Sequence, residues 1–249
     1  ILALVRSRGF QSIDALALQF GVTPQTIRRD ANLLCSRGLC RRRHGGIDPP
    51  AEGENLAYPA RQVLNREAKY RIAQCVAAHI PDGASVFFGI GTTPAQCAEV
   101  LAEREGLRVM TNNLNVALAF AGNPSCDVTI AGGRLRNLDR DIVAGEAHDF
   151  FGRYAAEYGI YGVGGVAEDG SLLDFSSDEV LMRGELARHC RQRLLVVDHS
   201  KFGRSATVRG GAITEASIVF TDQPLPAAID RLLAAAGVAR VIAAPDPLP

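Results

Sequence analysis

Apolar residues first recur at helical spacing. Residues 1–8, ILALVRSR, read as the end of an amphipathic helix that opens without Met, so further N-terminal residues are expected. Ser12 is placed to cap a second helix whose buried face is Ile13, Leu16, Ala17 and Phe20. Gly21-Val22 turns the chain. Thr23 then suits an N-cap and Pro24 the first helical position. The third helix runs to about Arg37 and stops at Gly38, with a stripe of Ile27, Ala31 and Leu34. Gln25, Thr26, Arg28, Arg29 and Asn32 fall mostly off that stripe. LCRRRHGGI reads as a short hairpin with a basic tip, so the order is that of a winged helix-turn-helix.

The pattern then changes twice. Residues 48–60, DPPAEGENLAYPA, are Pro-rich and mixed, as in a linker. A helix follows over 66–79. After it come apolar runs ASVFF, LRVM, DVTIA, YGIYGV, RLLVV, SIVFT and ARVIA, with helical stretches between most of them. Strands apolar on both faces and alternating with helices predict an α/β domain with a largely parallel sheet. The expected division is a DNA-binding domain over 1–49, a linker over 50–65 and a larger α/β domain over 66–249.

Charge sharpens this division. The net charge is zero, yet residues 1–47 carry eight arginines against Asp14 and Asp30 only, so the head is +6 and the remainder −6. A basic head on an acidic body points to a polyanion met by the head alone. Arg28 and Arg29 lie in the first turns of the third helix, where a recognition helix reaches bases or phosphates. Arg41, Arg42, Arg43 and His44 lie on the hairpin, where a wing straddles the backbone. Thr23, Gln25, Thr26 and Asn32 complete the expected DNA-facing set, and double-stranded DNA is the expected partner.

No apolar run reaches the ~18 residues of a spanning helix, and no signal peptide is evident, so a cytoplasmic protein without a membrane partner is expected. The six cysteines form no C-x-x-C pair, which suits reduced thiols. Cys35, Cys40 and His44 lack a matching second pair of ligands, and no metal is expected.

In the α/β domain, glycine and polar motifs sit where strands end, the position of the ligand crevice in an open α/β sheet. Gly91-Thr92-Thr93 precedes Pro94. Bare N–H groups, two hydroxyls and a helix start there make an anion site, or an ordinary capped turn. Gly89-x-Gly91 is half of a dinucleotide fingerprint, but the third glycine and the following acid are missing, so no cofactor is expected. Asn112 and Asn113 can bind hydroxyls or cap a helix. Gly132-Gly133 and Gly164-Gly165 let backbone approach a ligand, or make tight turns. Glu179 reads as a capping-box partner of Ser176 or an i,i+4 partner of Arg183. Lys201 is sharper: only it and Lys69 are lysines among 27 cationic residues. A lysine at a strand end suits a compact charge facing phosphate, or is an ordinary solvated loop residue.

GVTPQTIRRD followed by RRRHGG resembles the DNA-binding domain of the DeoR family of bacterial repressors. The resemblance continues through TNNLNVA (111–117), AGGRLR (131–136), DGSLL (169–173) and VVDHSKFGR (196–204), over nearly the whole chain. It implies a sensor domain related in fold to ribose-5-phosphate isomerase. It also implies a homo-oligomeric repressor (dimer or tetramer) of a carbon-catabolic operon, released from its operator by a small phosphate ester, with glycerol 3-phosphate the expected one. By the same resemblance Glu179 and the basic residue four on belong to the effector site; Arg183 stands where lysine is usual. Gly89 replaces an acid common in relatives, which bears on ligand identity and argues against catalysis. The rival reading is a sugar-phosphate isomerase carrying a DNA-binding appendage, with Glu179 its candidate base.

Overall fold

The computed structural model describes residues 1–36, 38–49, 55–143 and 149–244. The chain divides into two compact units, Ile1–Leu64 and Asn65–Pro249.

The first unit begins with helix α1 (Leu2–Arg8) and a two-residue strand β1 (Gln11–Ser12). Ser12 caps helix α2 (Ile13–Phe20), its side chain accepting from the Ala15 N–H at 3.1 Å. Gly21, at φ 64°, ends that helix in the left-handed conformation that glycine takes without strain. Thr23 caps helix α3 (Pro24–Ser36) through the Thr26 N–H at 3.2 Å. Strands β2 (Arg41–Arg43) and β3 (Gly46–Asp48) form the hairpin, and β1 adds to it in the order β1-β3-β2. That third strand is absent from the sequence reading, because two residues carry no periodicity. Val5, Leu16, Ile27, Ala31 and Ile47 are fully buried together. Phe20 corrects the expected α2 face: it is 46% exposed. It is the last helical residue, and Gly21 turns the chain before the ring reaches the core. Leu34 is only half-buried, and the expected helix end at Arg37 lies outside the described residues. Within the span expected as linker, helix α4 (Tyr58–Val63) forms, with Tyr58 and Ala60 buried.

The second unit is built on a seven-stranded sheet. Helix α5 (Arg66–His79) leads into β4 (Ser85–Phe88), α6 (Thr92–Leu101), β5 (Arg108–Thr111), α7 (Leu114–Phe120) and β6 (Asp127–Ile130). A hairpin of β7 (Leu135–Arg136) and β8 (Asp141–Ile142) follows, then β9 (Ala156–Tyr161), β10 (Gly165–Val166), β11 (Ser171–Asp174), α8 (Ser177–Arg188) and β12 (Cys190–Val196). The chain continues through β13 (Val208–Ala212), β14 (Ile218–Thr221), α9 (Ala227–Ala235) and β15 (Ala239–Ile242). The sheet order is β15-β14-β12-β9-β4-β5-β6, and every neighbouring pair is parallel. All seven apolar runs read from the sequence are its strands. Alternation along them feeds two cores. Val86, Phe88, Ile160 and Phe220 face one layer, and Phe87, Tyr161, Leu195 and Val219 the other. Each fully buried side chain of this size stabilises the fold by about 1.5–3 kcal/mol.

The topology fixes where a ligand can enter. From β4 the chain steps through β5 and β6 to one edge; from β9 it steps through β12, β14 and β15 to the other. The reversal lies between β4 and β9, so loops leaving their carboxyl ends diverge and open a crevice. A smaller antiparallel sheet, β10-β11-β13, follows the β9 end in sequence.

Candidate functional sites: a basic winged helix and a strand-end crevice

On α3, Gln25, Arg28, Arg29 and Asn32 follow i, i+3, i+4, i+7 spacing, and all four are exposed. They lie opposite buried Ile27 and Ala31. The Thr23 hydroxyl is taken up by the cap and by the Thr26 hydroxyl at 3.0 Å, so its polar group serves the helix start. The hairpin arginines are exposed, but each has an intramolecular partner. Arg42 hydrogen-bonds to Asn32 Oδ1, joining wing to recognition helix. Arg41 Nε donates to the Pro49 carbonyl at 3.3 Å. Arg43 pairs with Asp48 at 3.2 Å and lies 5.5 Å from the Phe10 ring centre. These contacts orient the guanidinium groups at little energetic cost to their release, since exposed pairs contribute only about 0–1 kcal/mol. Exposed His44 and Gly45 form the tip; Gly45 takes φ 75°.

In the crevice, Gly91 at φ 115° is the N-cap of α6, and Thr92 and Thr93 are its first residues. First-turn N–H groups lack intrahelical partners, so the helix start presents donors. Asn113 secures this loop: its Nδ2 donates to the Gly91 carbonyl at 3.2 Å and the Gly89 carbonyl at 3.4 Å. Its Oδ1 accepts from the Asn115 N–H at 3.0 Å, capping α7. Asn112 is fully buried; its Nδ2 donates to the Ile142 carbonyl at 2.9 Å, and its Oδ1 has no partner among the described residues. Asn112, Gly89, Asp174, Glu179 and Arg183 border a cavity of about 20 Å³ at the β4–β9 reversal.

The carboxylates around that cavity pair differently from the sequence reading. Glu179 does not bond Arg183. Its Oε1 takes Arg136 Nη2 at 3.0 Å, and its Oε2 takes the Phe175 N–H at 3.1 Å, one residue before the cap Ser176. Arg136 also forks onto Asp141, with two contacts of 2.7 Å. Arg183 instead pairs with Asp174 at 3.0 Å and reaches the Gly210 carbonyl at 2.5 Å. Asp174 also accepts from the Gly164 N–H at 2.8 Å. Long-range partners win because a buried carboxylate needs several donors at once, which one helical neighbour cannot supply. Burial pushes the Asp141 and Asp174 carboxyls up despite their arginines.

After β12, Asp198 is almost fully buried. It accepts from Asn65 Nδ2 at 2.9 Å and the Ser200 N–H at 3.0 Å. Burial opposes its charge, but Lys201, the Ser200 hydroxyl, Lys69 and Asn65 together hold its carboxyl below the usual range. Both lysines of the chain therefore act on one carboxylate. Lys69, buried on α5, is absent from the predicted set, although the rarity that singled out Lys201 applied equally to it. Asn65 adopts a left-handed φ of 51° at the start of α5 and also reaches Ser200 Oγ at 3.1 Å. His199 turns the other way, onto Asp222 at 2.7 Å, so His199, Ser200 and Lys201 form no catalytic relay.

Gly162 brings the two halves together. A Cβ there would lie 3.5 Å from both Pro94 Cδ and the Val196 carbonyl oxygen, so the first turn of α6 and the end of β12 meet across the β9 end. The remaining glycines are placed otherwise. A Cβ on Gly165 would lie 2.1 Å from the Arg204 carbonyl oxygen, and one on Gly164 2.9 Å from the Leu173 carbonyl oxygen, so both serve close packing of the chain on itself. Gly132 and Gly133 are exposed beyond edge strand β6. Among the described residues no cluster of three or more His, Cys, Asp or Glu is arranged to hold a metal, and no helix is long and apolar enough to cross a membrane.

Two family models divide the chain between them. Residues 1–52 match the DeoR-like helix-turn-helix domain, and residues 64–223 the DeoR C terminal sensor domain. The chain belongs to the DeoR family. Similar full-length relatives include the glycerol-3-phosphate regulon repressor of Escherichia coli (strain K12), 40% identical over 94% of this chain and 92% of that one. The glycerol-3-phosphate regulon repressor of Haemophilus influenzae is 42% identical over 89% and 86%. The HTH-type transcriptional repressor CsqR of Escherichia coli is 38% identical over 92% and 88%. Among solved structures, a D-ribose-5-phosphate isomerase in complex with phospho-erythronic acid aligns with 55% of this chain and 54% of its own, at 17% identity and a TM-score of 0.39. This DeoR-family chain is thus a transcriptional regulator, a helix-turn-helix joined to a sensor, rather than an enzyme.

Proposed function

We propose that the chain represses transcription of a carbon-catabolic operon in the cytoplasm, and that a small phosphate ester, glycerol 3-phosphate, releases it. The winged helix, acting within a homo-oligomer (dimer or tetramer), binds double-stranded operator DNA. Gln25, Arg28, Arg29 and Asn32 face base edges, and Arg41, Arg42, Arg43 and His44 face phosphate. The effector enters the crevice between the β4 and β9 ends. The observation that carries this reading is the contact at Gly162 between the first turn of α6, whose leading N–H groups lack intrahelical partners, and the end of β12, which runs on to Asp198, a carboxylate whose charge Lys201 and Lys69 favour. The phosphate meets the N–H groups and hydroxyls of Gly91, Thr92 and Thr93 together with Lys201. One carboxylate, Asp198, faces the charge of both lysines, so it does not neutralise the site. The ester's hydroxyls meet the polar wall of Asn112, Glu179 and Arg183. The names of the Escherichia coli and Haemophilus influenzae relatives support glycerol 3-phosphate as the ligand.

Effector binding shifts the protein toward an arrangement in which paired winged helices no longer match the half-site spacing. The test is fluorescence anisotropy on a duplex from the region upstream of the chain's own gene. Glycerol 3-phosphate is expected to release the protein, while glycerol does not. Release by glycerol alone, or by ribose 5-phosphate at lower concentration, would sink the assignment.

A further inference from the structure

The sensor unit holds a second cavity, between α8 and the strands β12 and β13, with a volume of about 570 Å³. That lies within the range of small-molecule sites. Four arginines face it, Arg183, Arg188, Arg191 and Arg193, against one carboxylate, Glu215. They do so in a stretch, residues 48–249, that has six more acids than bases. Leu172, Val180 and Leu181 supply apolar wall.

One polar group of its lining is unspent, and a second lies beside it. Arg193 Nε is buried with no hydrogen-bond partner among the described residues. Tyr161 is 3% exposed and borders the same cavity. Buried donors are normally satisfied by protein, water or ligand, and leaving one unmade is costly. Burial lifts the Tyr161 phenol above its usual range against the pull of Arg183 and Arg193, so it stays neutral, both donor and acceptor. Arg191 is exposed to solvent, and two of the other arginines are already held. Arg183 is held by Asp174 at 3.0 Å, and exposed Arg188 pairs with Glu185 at 2.7 Å. Arg193 is the natural anchor.

We propose that this cavity is a second ligand site, for a small organic phosphate with an apolar or planar body, whose phosphate meets Arg193 and the Tyr161 hydroxyl. The apolar wall and four arginines fit such an amphipathic anion better than a bare ion. Tyr161 and Arg183 also border the small strand-end cavity, so the two sites share a wall.

Calorimetric titration of the full chain with phenyl phosphate tests this. Saturable binding is expected and survives Lys201→Ala, which disables the crevice. It weakens by about tenfold or more in Arg193→Gln, the loss of a charged hydrogen bond, and by a smaller factor in Tyr161→Phe. The Tyr161→Phe variant changes one oxygen only, and circular dichroism and the thermal midpoint check that both variants fold. Inorganic phosphate is expected to bind more weakly than phenyl phosphate. Absence of saturable binding overturns the proposal. So does binding lost in Lys201→Ala but kept in both cavity variants, or equal affinity for inorganic phosphate. None of these outcomes depends on whether glycerol 3-phosphate releases DNA.

Discussion

The arginines of the two units are used in opposite ways. In the winged helix, Arg28, Arg29, Arg41, Arg42 and Arg43 are exposed, and the hairpin three rest on a carbonyl, an amide and one half-buried aspartate. In the sensor unit, Arg183 and Arg136 are drawn in among carboxylates, with two contacts of 2.7 Å from Arg136 to Asp141. The first arrangement leaves the charge available to a polyanion. The second consumes it in holding the fold. Residue type alone does not distinguish these uses; the depth of burial and the charge of the partner do.

Breaking the buried pair should have the largest effect. Arg183→Met leaves Asp174 buried without its cation and is expected to cost about 3–5 kcal/mol of stability by urea unfolding. Adding Asp174→Asn, which still accepts from the Gly164 N–H, should recover part of that loss. If Arg183→Met alone is neutral, the pair is not a structural one. In the head, Arg28→Ala or Arg29→Ala should leave stability unchanged and cost about 1–3 kcal/mol of operator affinity with relaxed base preference. Arg41→Ala should instead weaken all sequences alike and flatten the log–log salt dependence by about one unit. Unchanged salt dependence would place that arginine off the phosphates.

Lys201→Ala sharpens the comparison, because here a sensor cation that acts on a carboxylate is proposed to bind the effector as well. Operator affinity should be intact, while the effector needed for release rises by an amount equivalent to about 1.5–3 kcal/mol. Release at the parental concentration would make it an ordinary loop lysine. The smallest effect concerns pH. The Asp198 carboxyl is held below its usual range in the folded protein, so its contribution to stability is present above the ordinary carboxylate pKa and is lost as pH falls through the lowered value. Urea unfolding from pH 6 to pH 3 should show the parent losing stability relative to Asp198→Asn. Parallel curves would remove Asp198 from the linkage.

The seven central strands were legible because strands buried on both faces are unbroken apolar runs. The short strands β7, β8, β10, β11 and β13 were not. They are two to five residues long, and β10 and β13 contain glycine, so pairing is decided by tertiary contacts. The site divides in the same way. Gly91-Thr92-Thr93 and Lys201 are local signals. The Asn65–Asp198 contact joins residues 133 apart, and Arg136 reaches Glu179 across 43 positions. No short-range spacing encodes either, and the i,i+4 rule pointed Glu179 at the wrong arginine.

The bond between Arg42 and Asn32 has one more consequence. An asparagine reads adenine with both ends of its amide, oxygen to the N6 amino group and nitrogen to N7. While Arg42 donates to one lone pair of that oxygen, the amide of Asn32 is held in one orientation, with its hydrogens and the second lone pair left for a base. The wing thereby edits the alphabet of the helix. Two relatives with identical recognition helices but different wings are expected to prefer different operators, and a code inferred from α3 alone will misassign this position.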